Sequence, residues 1–280
     1  MKLVECPRDA MQGLPGFIPT AVKIDYLNRL LRVGFDTIDF GSFVSPKAIP
    51  QLRDTAAVLA GLDPGQPTKL LAIVANRRGA EQGCGFESVT YLGFPLSVSE
   101  TFQQRNTRAS VAEALAEVAT IQNLCLQHAK TLVVYLSMGF GNPYGDPYHP
   151  ETVAEMVGKL AALDIRVVAP ADTVGSATPE GIQALFGTLI PAFPQIEFGA
   201  HLHSTPATVP EKLAAAYRAG CRRFDGAIRG FGGCPMAEDQ LTGNLPTEQI
   251  IAFLEGEGLD LRLDQAAFGE AYRLADWVFA

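Results

Sequence analysis

Residues 151–203, ETVAEMVGKLAALDIRVVAPADTVGSATPEGIQALFGTLIPAFPQIEFGAHLH, alternate between helix-like and strand-like patterns. Helices are predicted at Glu151–Leu163 and Pro179–Ile190, and strands at Ile165–Pro170 and Ile196–His203. Strands that alternate with helices of about 10–15 residues are typical of parallel βαβ units. This stretch therefore predicts a parallel sheet whose strands are connected by helices.

The same alternation continues toward both ends of the chain. Further strands are predicted at Leu3–Cys6, Phe35–Phe40, Lys69–Val74, Ser88–Gly93, Thr131–Ser137 and Arg222–Ala227. Further helices are predicted at Ala21–Val33, Ala48–Leu62, Arg78–Gln82, Val111–His128, Pro210–Ala219, Thr247–Gly256 and Gln265–Val278. Eight such units and one extra C-terminal helix predict an α/β fold, a (β/α)₈ TIM barrel, as a single domain over residues 1–280. A doubly wound open sheet is the alternative, but it usually has a glycine-rich loop where this chain has Pro7-Arg8-Asp9.

Composition excludes several classes of protein. The chain has 280 residues, of which 48% are hydrophobic and 19% charged, so it can bury a large core. With a net charge of −8, the chain shows no general sign of the basic surface that nucleic-acid binding needs. No apolar run reaches the ~20 residues that span a bilayer. Glu5 places a charge where a signal peptide would be apolar, so we expect a cytoplasmic protein.

The cysteines predict neither disulfides nor a zinc cage. Their number is odd and no CxxC pair occurs, which favours free thiols. The five cysteines are Cys6, Cys84, Cys125, Cys221 and Cys234.

Polar side chains follow the first two strands, at the end of the barrel where chemistry is expected. Arg8 and Asp9 come directly after the first strand, with Gln12 one helical turn further on. Asp39 lies near the end of the second strand, and its apolar neighbours alternate toward the helices. We therefore expect Asp39 to face the barrel interior.

His201 and His203 form the strongest single signal. They lie at i and i+2 at the end of the seventh strand, so both rings project from one face. Such a pair can chelate a divalent ion or can be two hydrogen-bonded core histidines. With Asp9 and Asn244 it would form an oxygen and nitrogen ligand set that suits Mg²⁺ or Mn²⁺ better than zinc. Arg8 beside such a metal would stabilise a developing enolate oxygen.

Two further segments follow strands. Gly230-Phe231-Gly232-Gly233-Cys234-Pro235 has three glycines within four residues, which predicts a mobile loop. Cys234 could swing over the barrel mouth as an acid or base, or be a target of oxidation. Asp172 and Thr173 end the sixth strand and are interpreted as structural residues, with the orientation of a histidine as the alternative.

Taken together, these motifs resemble the 3-hydroxy-3-methylglutaryl-CoA (HMG-CoA) lyase family, within the barrel metallolyases that include isopropylmalate synthase. The cysteine loop favours the lyase branch. The resemblance implies a retro-Claisen cleavage, in which HMG-CoA or a close analogue gives acetyl-CoA and acetoacetate through a thioester enolate. The matching motifs are Pro7-Arg8-Asp9 with Gln12, Ser42-Phe43-Val44-Ser45-Pro46-Lys47, Ala171-Asp172-Thr173-Val174-Gly175 with Thr178-Pro179, His201-x-His203, Gly232-Gly233-Cys234-Pro235 and Gly243-Asn244.

The resemblance also implies roles for individual residues. The implied ligands of Mg²⁺ or Mn²⁺ are Asp9, His201, His203 and Asn244. The implied catalytic residues are Arg8, Asp9, Asp39 and Cys234. The expected substrate contacts are Gln12, Ser42, Asn76, Thr173 and Arg229. The expected partner is an acyl-CoA or hydroxy-acid substrate, with neither nucleic acid nor membrane, and the expected assembly is a homodimer.

Several departures from the family pattern leave the substrate open. Asp39 is one methylene shorter than the family's glutamate, and Gly13–Gly16 replaces a segment that usually carries a lysine. Ser204 follows the second histidine where the family has an aspartate. Arg229 replaces a small residue and could bind a second substrate carboxylate or point outward. The alternatives are an aldolase or Claisen-type condensing enzyme on another hydroxy acid or acyl-CoA, and a non-catalytic barrel that binds a small acid.

Overall fold

Eight parallel strands close into a barrel in the computed structural model, which describes residues 1–63, 65–233 and 242–279. In chain order the strands are β1 (Lys2–Glu5), β2 (Thr37–Ser42), β3 (Lys69–Ile73), β4 (Val89–Ser97), β5 (Thr131–Ser137), β6 (Val167–Asp172), β7 (Glu197–Ser204) and β8 (Arg223–Gly226). Each strand pairs with its neighbours in sequence, and β1 pairs with β8 to close the ring. The predicted (β/α)₈ barrel is confirmed. A short strand, β9 (Gly243–Asn244), runs antiparallel to the end of β7.

Helices surround the barrel. They are α1 (Pro7–Gln12), α2 (Thr20–Val33), α3 (Thr55–Ala60), α4 (Arg77–Cys84), α5 (Glu100–Thr107), α6 (Val111–Gln127), α7 (Pro150–Ala162), α8 (Pro179–Ala192), α9 (Val209–Arg218), α10 (Thr247–Gly256) and α11 (Gln265–Val278). The extra C-terminal helix, α11, packs against α2, and the rings of Tyr26 and Phe279 meet edge to face at 5.6 Å. None of the described helices is long and apolar enough to cross a membrane.

Three helical segments differ from the prediction. Helices α1 and α5 were not predicted, and they are only 6 and 8 residues long. The helix predicted at Ala48–Leu62 is instead a short 3₁₀ turn at Pro50–Leu52 followed by α3. Proline disfavours helical backbone in the residue before it and lacks a donor, so Pro50 can begin a helical turn but cannot continue one.

The barrel interior is apolar on one side and charged on the other. Inward side chains of β3 to β6 form an apolar cluster of Leu71, Ile73, Tyr91, Val133, Tyr135, Val167 and Ala169. Buried polar side chains on β2, β7 and β8 include Asp39, His201, His203, Arg223 and Asp225. The outward side chains of β7 belong to the larger core beneath the helices. The charged side of the interior leads to the carboxyl ends of the strands, where a site was predicted.

Glu5 is a buried carboxyl whose ionisation should make the protein less stable as pH rises. Burial raises its pKa from 4.5 to about 8, although Thr247 and the backbone NH of Ile228 donate hydrogen bonds to it. The unfolded chain loses this proton near pH 4.5 while the folded chain keeps it until about pH 8, so folding stability falls across that interval. Glu5→Gln should remove this loss. Between pH 5 and pH 8 its free energy of unfolding should therefore rise by about 3 kcal/mol relative to that of the parent. Urea unfolding of both proteins at the two pH values measures it, and parallel pH profiles would contradict it.

Candidate active site

A cavity of about 790 Å³ opens at the carboxyl ends of the barrel strands. Its volume lies within the range of pockets that take small-molecule ligands. Seven of the predicted site residues line it, namely Arg8, Asp9, Gln12, Asn76, Thr173, His201 and His203. The position of the cavity agrees with the rule that TIM barrels bind ligands at this face.

Asp9, His201 and His203 meet on one wall of the cavity, with one ligand atom from each lying within 4.8 Å of the others. His203 Nδ1 is 3.0 Å from the carbonyl oxygen of Thr173, and because a carbonyl only accepts, Nδ1 must carry the hydrogen. Its Nε2 is buried and has no hydrogen-bond partner in the described chain. A buried imidazole nitrogen with a free lone pair beside a carboxylate fits a divalent cation.

Asn244, the fourth predicted ligand, lies beside this group. β9 places it opposite His203, and its amide nitrogen donates to Asp9 Oδ2 at 2.8 Å and to the Phe231 carbonyl at 2.9 Å. In this arrangement the amide holds the Asp9 carboxylate in place. Ligation through the Asn244 side-chain oxygen stays a prediction.

The surroundings favour protonation states that can bind a metal. Burial would raise the pKa of Asp9, but Arg8 and the two histidines hold it below its usual value. Burial lowers the pKa of His203, and the neighbouring His201 lowers it further. Burial also acts to lower the pKa of His201, but the hydrogen bond and charge of Asp225 raise it overall. An ionised carboxylate therefore lies next to a neutral imidazole, as metal ligation requires.

Arg8 is held by three side chains. Pro7 begins α1, which places Arg8 and Asp9 in its first turn and Gln12 one turn later on the same face. The guanidinium donates to Asp39 Oδ2 at 2.9 and 2.5 Å, and to Asp9 Oδ1 and Gln12 Oε1 at 2.9 Å each. This fixes the direction of the guanidinium at the edge of the cavity.

Asp39 was predicted as a catalytic residue, but it does not line the cavity. Its carboxylate is buried behind Arg8, because the inward register of β2 directs it at the guanidinium. Burial raises its pKa to about 6, although Arg8 acts to lower it. In this structure Asp39 is a hydrogen-bond partner of Arg8, and its catalytic role stays a prediction.

Other predicted substrate contacts have different surroundings. Ser42 does not line the cavity and donates to the Ile73 carbonyl at 3.2 Å. Asn76 lines the cavity and also caps α4, accepting from Gly79 N at 3.0 Å. Arg229 agrees with the outward alternative: its turn has φ +62°, its guanidinium pairs with Asp276 on α11, and it is not among the residues that line the cavity. Cys234 lies outside the described residues.

Sequence reasoning missed Lys212, whose buried amine supports the site. It donates to Asp172 Oδ2 at 2.6 Å, to the Gly175 carbonyl at 2.9 Å and to the His203 carbonyl at 2.8 Å. It therefore ties the loop after β6 to the end of β7. Asp172 accepts a hydrogen bond from the backbone NH of Ala177, which agrees with its structural interpretation, and the Thr173 carbonyl orients His203. A lysine next to Leu213 on the apolar face of α9 was the available signal.

Comparison with known proteins gives one consistent family. The HMGL-like family model matches residues 3–275. Hydroxymethylglutaryl-CoA lyase YngG of Bacillus subtilis is 34% identical over 252 residues, which are 89% of this chain and 83% of its own. (R)-citramalyl-CoA lyase of Chloroflexus aurantiacus is 28% identical over 98% of this chain and 88% of its own.

Comparison with solved structures points to the same family. An HMG-CoA lyase from Acinetobacter baumannii, in complex with coenzyme A and 3-methylmalate, has a TM-score of 0.92 and 30% identity, covering 100% of this chain and 91% of that one. The HMG-CoA lyase of Brucella melitensis also has a TM-score of 0.92, with 28% identity, 99% of this chain and 98% of that one. The chain belongs to the HMGL-like family.

Proposed function

We propose that this protein is a divalent-metal-dependent carbon–carbon lyase that cleaves HMG-CoA, or a close analogue, to a thioester and a keto acid. With HMG-CoA the products are acetyl-CoA and acetoacetate. The observation that carries this proposal is the group of Asp9, His201 and His203 beside the fixed guanidinium of Arg8, with His203 Nε2 unpartnered among the described residues. Membership in the HMGL-like family supports it.

In such a cleavage the 3-hydroxyl loses its proton, the C2–C3 bond breaks and C2 gains a proton, and the residues present supply metal binding and charge stabilisation for it. A divalent cation held by Asp9, His201 and His203 would act as a Lewis acid toward substrate oxygens. Arg8 stabilises the negative charge that grows on the thioester oxygen as the C2–C3 bond breaks, because its donors are already oriented. Asp39 keeps Arg8 in that orientation. The enolate must then gain a proton at C2, and Cys234 stays the predicted residue for moving it.

Among the residues that the structure describes, the group of Asp9, His201 and His203 offers oxygen and nitrogen donors and no thiolate, so we propose Mg²⁺ or Mn²⁺ as the ion. We also propose that residues 1–280 act as one domain. The homodimer and the cytoplasmic location stay predictions from the sequence.

The cavity also has a group of basic lining residues, here called the basic wall, which suits a coenzyme A ester. The basic wall consists of Lys47, Arg105 and Arg108, and the ring of Phe102 also lines the cavity. Phosphate groups bind guanidinium and ammonium groups through charge-assisted hydrogen bonds. The coenzyme's phosphates can therefore lie at this basic wall while the acyl group reaches Asp9 and the histidines.

Arg105→Gln should weaken binding of the coenzyme without disturbing the reaction. We expect KM for the acyl-CoA to rise about tenfold with kcat within about twofold, because one charge-assisted contact is lost far from the reacting bond. Steady-state kinetics measures both constants. Arg262→Gln is the control, because Arg262 is exposed and does not line the cavity. A KM equal to that of the control would contradict the basic wall as the coenzyme site.

The function is tested with the purified, reduced protein, Mn²⁺ or Mg²⁺, and HMG-CoA, by following acetyl-CoA formation. Metal-dependent release of acetyl-CoA is the expected result. (R)-citramalyl-CoA is the second substrate to test, because the lyase named for it aligns with 98% of this chain. Release only from (R)-citramalyl-CoA would move the substrate to that analogue. No release from any 3-hydroxyacyl-CoA by metal-loaded protein would overturn the lyase proposal and favour a binding barrel.

Gly232 lies where residues 230–233 contact α1, so a larger side chain at this position should distort the site. A Cβ there would lie 2.7 Å from Asn244 Nδ2 and 2.9 Å from the Asp9 carbonyl, and φ is +96°. We expect Gly232→Ala to lower lyase activity at least about tenfold, because strain of about 1–3 kcal/mol displaces Asp9 and Asn244. Gly187→Ala on α8 is the control, since its Cβ would meet nothing within 4 Å. Activity assays and thermal unfolding of both variants measure it, and equal activities would contradict the predicted strain.

A further inference from the structure

Below the cavity, the barrel interior holds a row of charged side chains that the proposed reaction does not use. Lys2 pairs with Glu197 at the amino-terminal end of the barrel. Arg223 lies next, with Nη1 at 3.4 Å from Glu197 Oε1 and Nε at 3.6 Å from Asp225 Oδ1. Asp225 Oδ2 is then 3.3 Å from His201 Nδ1. The row thus ends on a proposed metal ligand.

Stability alone does not explain the inner part of this row. Arg223 and Asp225 are almost fully buried, and desolvating two such ions costs several kcal/mol each. Their separation is longer than that of a good ion pair. Arg223 Nε and Nη2 and Asp225 Oδ1 have no hydrogen-bond partner among residues 1–63, 65–233 and 242–279. Buried polar groups that are imperfectly satisfied call for a reason other than packing.

We propose that Asp225 and Arg223 are positioning residues of the metal site. Asp225 accepts the hydrogen of His201 Nδ1, which leaves Nε2 as the nitrogen that faces a cation, and the positive charge of Arg223, 3.6 Å away, balances the buried charge of Asp225. The inference rests on the metal-dependent function proposed above. It extends that function to two side chains that touch neither the substrate nor the ion.

The strands explain why these side chains meet. Arg223 and Asp225 lie two residues apart on β8 and so share its inward face, and Asp225 is in register with His201 on β7. Arg223 is in register with Gly199, where a Cβ would approach the Arg223 side chain to 3.0 Å. Gly199 therefore leaves the space that the guanidinium fills. On its other side, the His201 ring contacts Tyr135 edge to face at 5.3 Å.

A second cation below His201 is a competing explanation for this cluster. Cys6, His201 and Asp225 also offer ligand atoms within 4.8 Å of one another. Burial raises the pKa of the Cys6 thiol well above its usual value, and nearby carboxylates raise it further, so the thiolate ligand is disfavoured. The guanidinium of Arg223 near Asp225 already supplies positive charge there. The geometry therefore favours positioning over a second ion.

The test is Mn²⁺ binding by Asp225→Asn, measured without substrate by the electron paramagnetic resonance signal of free Mn²⁺. We expect the Kd to rise about 10–100-fold, the effect seen when the acceptor behind a metal-binding histidine is lost. Asp276→Asn is the matched control, because Asp276 pairs with Arg229 outside the cavity and its variant should bind Mn²⁺ like the parent. Circular dichroism and thermal unfolding check that each variant folds.

Arg223→Met tests the second residue. It should raise the Mn²⁺ Kd about 3–10-fold in the parent and leave it unchanged in the Asp225→Asn background, because Arg223 acts through Asp225. Additive effects would overturn the role of Arg223. An unchanged Kd in folded Asp225→Asn would overturn the role of Asp225. Absence of Mn²⁺ binding by the parent would instead overturn the proposed function, and this inference with it.

A measurement on the parent keeps the inference testable if a variant fails to fold. Nitrogen-15 NMR of labelled histidine reports which ring nitrogen is protonated. At alkaline pH, where the ring is neutral, metal-free protein should show His201 with its hydrogen on Nδ1. The Nε2-protonated form would overturn the inference.

Discussion

Replacing His203 with alanine should abolish metal binding and, with it, turnover. We expect the Mn²⁺ Kd to rise at least about 100-fold, and acetyl-CoA formation to fall at least about 1,000-fold at fixed Mn²⁺. The His203 ring is held by the Thr173 carbonyl, and its buried Nε2 has no hydrogen-bond partner in the part of the chain that the structure describes. Asp9 and His201 alone would offer two protein ligands from this group. Mn²⁺ titration by electron paramagnetic resonance and the acetyl-CoA assay measure the two effects.

His149→Ala is the matched control for this substitution. His149 is exposed at the start of α7, and its side chain makes no capping hydrogen bond, so its loss should change neither quantity. A His203→Ala protein that binds Mn²⁺ like the parent but is inactive would contradict ligation. Such a result would assign the imidazole to proton transfer.

The sequence was sufficient for the barrel because parallel strands are buried on both faces and read as short apolar runs. Thr131–Ser137 was predicted with its correct bounds. Helix α5 was missed because it is short and largely polar. This omission affected the functional prediction, because Arg105 lies on α5 and Arg108 is its C-terminal cap. The basic wall of the cavity was therefore missed as well.

Within the site, the sequence identified residues that short local patterns are enough to place. His201 and His203 share a strand face by spacing alone, and Asp9 follows the first strand. Asp225 and Arg223 could not be identified in this way, because their role depends on the register between β7 and β8. For Arg229 the sequence left two alternatives open, a second substrate carboxylate or an outward position, and the backbone at that turn directs its side chain to α11.

Arg8→Met should remove the residue that stabilises the enolate. We expect kcat to fall about 10²–10³-fold, the usual effect of losing one preorganised donor at a developing oxyanion, with Mn²⁺ binding within about threefold. Steady-state kinetics and Mn²⁺ titration measure these quantities. The substitution also leaves Asp39 buried without its cation, which can cost about 3–5 kcal/mol of folding stability. A loss of activity could then reflect partial unfolding.

The double variant Arg8→Met, Asp39→Asn separates stability from catalysis. It removes both charges of the buried pair, so the free energy of unfolding should recover toward the parent value. Activity should not recover, because no donor replaces the guanidinium that Gln12 and Asp39 hold at the cavity edge. Recovery of both stability and kcat would show that Arg8 acts through the fold alone. Recovery of stability without kcat assigns the guanidinium to the transition state, since Asp39 itself does not line the cavity.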